Sequence, residues 1–274
     1  CRGGLMADPQ MPVDIVNAIR SRNWGTHHVH WHVVRIWDLL GPQVRQWAQQ
    51  QGWSRAAVQE GESGNGLAFL AMHRVMMQQL RTRFPHHEAL FVGWPTPPTD
   101  PSDAADPLPN NGNTAFSLDM GRAVTRLHQN LQSFTDDDDF GLYLETSLRP
   151  LSGQPDRRSP DRSAGIHNYM HNRFADSSSD IDMGNPQVNI ENARFWRLHG
   201  WIDARWSALR EAIGASDNEP AYVAALREAE HHMGHAMPHA HVAAEKVAPA
   251  PSPQPIPHDI LRQIREALLQ RAQE

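Results

Sequence analysis

Three observations predict an all-α fold, with a four-helix core and long irregular loops. One pattern occurs twice: a His-x-x-x-His pair followed, one helix later, by a single histidine set among apolar and aromatic residues. Apolar residues around these histidines recur at helical spacing. The connections between them are long and polar, in a chain with 21 prolines among 274 residues. The first copy is His28 and His32 with His73; the second is His167 and His171 with His199. Residues four apart on a helix share a face, so each pair points two imidazoles at one spot that a neighbouring helix can complete. Two such half-sites facing each other hold two metal ions. Neutral imidazole suits copper, zinc, iron and nickel, so the pattern alone does not name the metal.

Taken in order, Thr26 is a candidate N-cap after the Gly25 break, for a helix running through Trp31 and Ile36 to Leu40, where Gly41-Pro42 stops it. A second helical stretch covers Val44 to Gln51. Gly61 to Gly66 reads as a loop, followed by the stripe Leu67, Leu70, His73, Met77 and Leu80. Pro95 to Pro109 is a long connection, and a helix over Ser117 to Leu131 follows, with Met120, Val124, Leu127 and Leu131 on one face. The acidic run Asp136 to Asp139 reads as a solvated loop, or else as a calcium or partner contact. After the polar stretch Pro150 to Ser163 comes the second histidine pair, then a loop with Met183-Gly184-Asn185-Pro186, then an aromatic-rich helix holding His199.

The formal charge of -6 gives no electrostatic reason to bind nucleic acid or anionic membrane, and there is no basic stripe with interleaved aromatics. No apolar run approaches the roughly 20 residues of a membrane span. Histidine, at 17 residues, is the outlier; a single cysteine allows no intrachain disulfide. A first residue of Cys1 suits an exported protein lipid-anchored there, and equally a remnant before Met6. Export to the periplasm or beyond is the expectation, over a cytoplasmic location. Walker loop, dinucleotide glycine fingerprint, His-Glu-x-x-His and Gly-x-Ser-x-Gly elbow do not occur.

The string Phe195-Trp196-Arg197-Leu198-His199-Gly200-Trp201-Ile202-Asp203-Ala204-Arg205-Trp206, preceded by His167-Asn168-Tyr169-Met170-His171, resembles the second copper-binding half of the type 3 copper proteins: tyrosinases, catechol oxidases and molluscan haemocyanins. Phe195, Trp196, His199, Ile202, Asp203 and Trp206 keep their places in that family's string. Phe69-Leu70-Ala71-Met72-His73-Arg74 is similar to the family's Phe-Leu-Pro-Trp-His-Arg, which carries a ligand of the first copper. The family supplies another ligand about nine residues earlier, where this chain has Gly64. Either His28 and His32 replace it, with His27 and His30 close enough to serve, or the first site is degraded and holds one copper or none.

The resemblance implies a tyrosinase-like bundle with two copper ions between two antiparallel helix pairs. It also implies dioxygen as oxidant and two-electron oxidation of an o-diphenol or o-aminophenol. Asn168 matches a position that in tyrosinases orients a water for phenol deprotonation. The glutamate that partners it is replaced by Arg158, which counts against monophenol hydroxylation. Asn192-Ala193 stands where the family has Asp-Pro, and Leu198 where it has a histidine. Asp203 and Asn172, and less so Asn192, are candidates to orient ligands; Phe195, Trp196, Trp31 and Phe69 would wall off the centre. Other readings stay open. His73 can be a hydrogen-bonded core histidine, Asp203 can brace its helix through Arg205, and a His-only site can take zinc or iron. A non-catalytic copper protein, for storage, delivery or a structural role, is the alternative from another class.

Residues 1–230 thus read as the copper domain, and 231–246 as a His/Met-rich segment. That segment, His231 to His241, offers thioether and imidazole together, a set that favours copper. Residues 247–258 form a proline-rich linker, and 259–274 a C-terminal amphipathic helix with Asp259 as N-cap. Its face of Ile260, Ile264, Ala267 and Leu268 either docks back on the bundle or, through 259–273, binds a partner.

Overall fold

Apolar stripes and their stop signals set the elements of the computed structural model, which describes residues 10–97, 123–146, 165–174, 181–234 and 256–269. In chain order the helices are α1 (Val13–Ser21), α2 (Trp24–Arg35), α3 (Pro42–Gln50), α4 (Asn65–Arg83), α5 (Glu88–Phe91), α6 (123–129), α7 (Asp137–Thr146), α8 (Ile166–Arg173), α9 (Ala193–Ile213), α10 (Pro220–Gly234) and α11 (His258–Leu269). Among the described residues every regular element is helical, so the all-α class is what is seen. Cys1, Met120, Arg158 and residues 235–255 lie outside the described residues, as does the side chain of Asn172.

The long helix α4 is buried along most of its length and packs against α7, α9 and α10. Two of these three neighbours, α7 and α10, carry none of the six expected site histidines, so the core is not simply a bundle of the four helices that do. Gly66 and Gly141 allow the α4–α7 crossing: a Cβ on either would collide with backbone of the other helix. The helix α2 starts at Trp24, with Asn23 at φ 54° before it, and Thr26 donates to Asn23 Oδ1 instead of acting as the cap.

The acidic run is not a solvated loop. Asp136 accepts the Asp139 amide at 2.8 Å, and α7 begins at Asp137. Asp137 is buried, bonded to Trp206 Nε1 and ion-paired with Arg210. Asp138 accepts the amides of Gly64 at 2.8 Å and Leu67 at 3.0 Å, capping α4 from outside. A helix start has unsatisfied N–H groups and a partial positive charge, so a carboxylate from a neighbouring helix is well placed there.

The C-terminal helix docks on its own chain. Ile256, Ile260, Ile264 and Ala267 pack with Val29, Val33, Ile36, Trp37, Val44 and Ala48 in a second apolar cluster beneath α2 and α3. Each buried isoleucine contributes about 2 kcal/mol from apolar burial. Asp259 lies inside the first turn of α11 instead of preceding it. The helix α10 runs through Gly234, with Met233 in the main core and His231 exposed.

Candidate metal centre

Four helices bring the expected histidines to one buried place. His28 and His32 come from α2, His73 from α4, His167 and His171 from α8, and His199 from α9; all six are buried. The ligand-capable atoms of His28, His32 and His73 lie within 4.8 Å of one another, and so do those of His73, His167 and His199. His73 therefore belongs to both groups, and its ring stacks on that of His199 at 3.9 Å between centroids. His171 stands beside the second group, with its ring 4.5 Å from His167 and 5.9 Å from His199.

Backbone carbonyls set which nitrogen faces inward. His28 Nδ1 lies 2.8 Å from Pro186 O, His73 Nδ1 2.9 Å from Phe69 O, and His171 Nδ1 2.8 Å from Met183 O. A carbonyl can only accept, so each of these rings carries its proton on Nδ1 and turns the Nε2 lone pair to the centre. His28 Nε2 and His32 Nε2 are 3.1 Å apart, close to the roughly 3.3 Å edge of a tetrahedron of nitrogens about 2.0–2.1 Å from a metal. His73 Nε2, His171 Nε2 and both ring nitrogens of His199 are buried without a hydrogen-bond partner among the described residues. Buried polar atoms rarely stay unsatisfied, and a metal ion would satisfy these.

Desolvation keeps all six imidazoles neutral. It pushes His28 and His171 down to about 4 against the carbonyl bonds that favour the cation. His32, His73, His167 and His199 are held well below the ordinary histidine value by desolvation first and by the neighbouring imidazoles second. Neutral imidazole is the ligating form, so the buried triads can hold a metal ion without first losing protons at neutral pH.

The residues that orient the ligands are largely not the ones sequence reasoning named. Asp203 touches no ligand: it bonds Arg74 Nε at 2.5 Å, and Arg74 also reaches Ser207 Oγ, Tyr222 Oη and the face of Trp206. This network joins α4 and α9 one residue from His73, so Asp203 braces a helix through Arg74 rather than Arg205. Asn192 caps α9 through the Arg194 amide and bonds Ile181 O. The missed element is the stretch 181–188. Met183 O holds His171, Pro186 O holds His28, and Asn189 Nδ2 donates to Met183 O at 3.3 Å. A Cβ on Gly25 would collide with the Gln187 carbonyl, so α2 lies directly against this stretch. The Met183-Gly184-Asn185-Pro186 loop is visible in the sequence, but a backbone carbonyl accepts a hydrogen bond whatever its side chain, so nothing marks which residues serve.

Phe195 packs edge-on to His28 and lies 4.2 Å from His199; Phe69 lies 4.8 Å from His73 and 4.7 Å from His167; Trp31 lies 4.9 Å from His32. Trp196 stands one layer back, bonded to Ile190 O and packed on Phe195. Asn168, next to His167, lines a cavity of about 30 Å³ with His32, His171, Met183, Pro186, Asn189 and Leu268 of α11. His27 and His30 point elsewhere, to a pocket of about 370 Å³ against α10, where His30 stacks on Trp53 and faces His232. No described helix is long and apolar enough to cross a membrane. Compared with known proteins, the chain matches no family model and no curated protein.

Proposed function

We propose that this protein is a copper-dependent oxidoreductase of the tyrosinase and catechol oxidase type, oxidising o-diphenols or o-aminophenols with dioxygen at a pair of copper ions. The observation that carries the reading is the convergence of six buried, neutral histidines from four helices, with the Nε2 atoms of His73, His167, His171 and His199 buried without a hydrogen-bond partner among the described residues. Copper fits this donor set, because it takes imidazole in both oxidation states and sits at the top of the divalent affinity order. His28, His32 and His73 would hold one ion; His167, His171 and His199 would hold the other. Copper there would supply reversible one-electron chemistry toward dioxygen.

The chain's own residues do the rest. The carbonyls of Phe69, Met183 and Pro186 keep the Nδ1 protons in place and so fix the lone-pair directions. Phe69, Phe195 and Trp31 exclude bulk water. Asn168 stands at the cavity wall, where its amide would orient a phenolic hydroxyl or water. Two catechols, each giving up two electrons and two protons, reduce one dioxygen to two waters and leave as quinones. Copper loading followed by elemental analysis and oxygen uptake with a simple catechol tests this. Two equivalents per chain with turnover support it; two equivalents without turnover turn the reading to a non-catalytic copper protein; zinc or iron retained in preference to copper rejects it.

One observation favours the non-catalytic alternative. A cavity of about 30 Å³ admits dioxygen or water, whereas a benzene-sized guest needs about 150 Å³. Leu268 of α11 lines this cavity beside His32, His167 and His171. Leu268→Ala distinguishes a closed enzyme, whose turnover rises, from a copper store, whose turnover stays at zero.

A further inference from the structure

At the far end of α4 from its capped start, a second set of metal-capable side chains comes together on the surface. The helix ends at Arg83, and a 3-10 turn, Pro85–His87, follows at once. Its two histidines meet Asp14 in the first turn of α1. His86 Nε2 lies 3.2 Å from Asp14 Oδ2, and His87 Nε2 lies 3.1 Å from Oδ1 and 3.2 Å from Oδ2. The rings are 4.1 Å apart between centroids, and one donor atom from each of the three residues lies within 4.8 Å of the other two.

We propose that Asp14, His86 and His87 form a surface site for a borderline divalent transition-metal ion of the zinc and copper class, separate from the buried centre. Two imidazoles on one carboxylate exceed what hydrogen bonding needs, since exposed pairs of this kind contribute little. Their spacing has another reading. Ligands at 2.0–2.2 Å from a tetrahedral ion stand about 3.3 Å apart, and the nitrogen-to-oxygen separations here are 3.1 and 3.2 Å. An ion therefore enters with small movements of the rings. Two nitrogens and one carboxylate oxygen suit zinc(II) or copper(II) and leave a fourth position to water. Magnesium and calcium, which take oxygen ligands, are excluded by the same donor set.

The carboxylate is prepared for this role. Desolvation opposes its ionisation, but the Ile15 amide and the two imidazoles outweigh it and hold Asp14 below the ordinary aspartate value. The ion would tie α1 to the end of α4, while Arg20 ties the other end of α1 to Glu191, just before α9. A bound ion would thus fasten α1 across both helices that supply single histidines to the centre.

The test is zinc(II) binding by equilibrium dialysis and calorimetry on the full chain. Wild type is compared with Asp14→Asn, His86→Ala, His87→Ala and the double histidine variant, with far-ultraviolet circular dichroism confirming the fold. The double variant should bind one equivalent fewer than wild type, whether or not the buried centre has been filled with copper beforehand. Asp14→Asn, which keeps a hydrogen-bond acceptor but loses the charge, should weaken that equivalent at least tenfold. Zinc should raise the melting temperature of copper-filled wild type and leave the copper-filled double variant unmoved. Equal zinc stoichiometry and affinity in all these proteins would overturn the site and leave an ordinary aspartate–histidine contact. Failure of the buried centre to take copper would not bear on it, because the surface equivalent is counted by difference.

Discussion

In the half of the centre built from α2 and α4, His28 is held by a carbonyl 158 residues further along the chain, whereas in the half built from α8 and α9, His171 is held by one 12 residues away. The two halves use the same parts, a pair four apart and a single histidine. They differ in where the orienting groups originate. The second half is locally organised, with pair, holding carbonyl and Asn189 all between 167 and 189. The first half borrows its holding group from the second half's loop, and His73 of the first half stands within 4.8 Å of His167 and His199 of the second. The dependence is of a different kind in each direction: orientation one way, close packing of one imidazole the other.

Removing the histidine common to both close groups should have the largest effect. His73→Ala is expected to lower copper content by more than one equivalent, since His73 belongs to both close triads, whereas His199→Ala should remove about one and abolish oxidase activity. Elemental analysis after copper loading decides it; full retention of metal in both variants would break the assignment of the centre. Next comes the direct link between the halves. Arg74→Met leaves Asp203 with its 3.7 Å contact to Arg81 as the remaining ion pair, and removing one partner of a largely buried pair costs up to about 3 kcal/mol, read from urea unfolding.

A smaller and more selective effect is expected from Gly25→Ala, which pushes the Gln187 carbonyl and with it Pro186 away from α2. Disturbing a group that orients a ligand lowers metal affinity by about 10- to 100-fold. Here the loss should fall on one equivalent only, visible as a biphasic copper titration. A uniform loss would mean that the loop serves both halves as one rigid body.

Acid should affect the two halves alike. His28 and His171 are held down at about 4 when folded, against about 6.5 in an unfolded chain. Between these values the unfolded state binds more protons, so metal-free protein is fully stable above about pH 6.5 and loses stability as pH falls toward 4. The slope is up to about 1.4 kcal/mol per pH unit for each histidine. Urea unfolding at pH 7.5, 6 and 5 with a chelator present measures it, and His28→Phe and His171→Phe should flatten it equally. The smallest effect belongs to Leu268→Ala, expected to admit catechols faster by less than tenfold without changing copper content.

Much of this was legible in the sequence, and the exceptions have physical causes. Helical class and the shared face of each histidine pair follow from spacing, because a face of a helix is fixed by a period of 3.6; His73 and His199 are marked instead by the resemblance of the residues that flank them. The docking face of α11 follows from the same rule. Asp138 was misread because capping of α4 is a tertiary contact between residues about 70 apart, invisible in a local acidic run. In sequence Asp203 reads as a group that orients a ligand or braces its helix through nearby Arg205, whereas Arg74 comes near only once α4 and α9 pack. The carbonyls that hold His28 and His171 carry no side-chain mark at all.

The contact between His28 and Pro186 also sets a schedule. As the chain emerges from the ribosome, α2 appears long before residue 186 has been added, and at roughly 5–20 residues per second the 158 intervening residues take on the order of 10–30 s. During that interval the first histidine pair exists without the carbonyl that aims it. An ion taken up by that pair would gain its full ligand orientation only once Pro186 is in place.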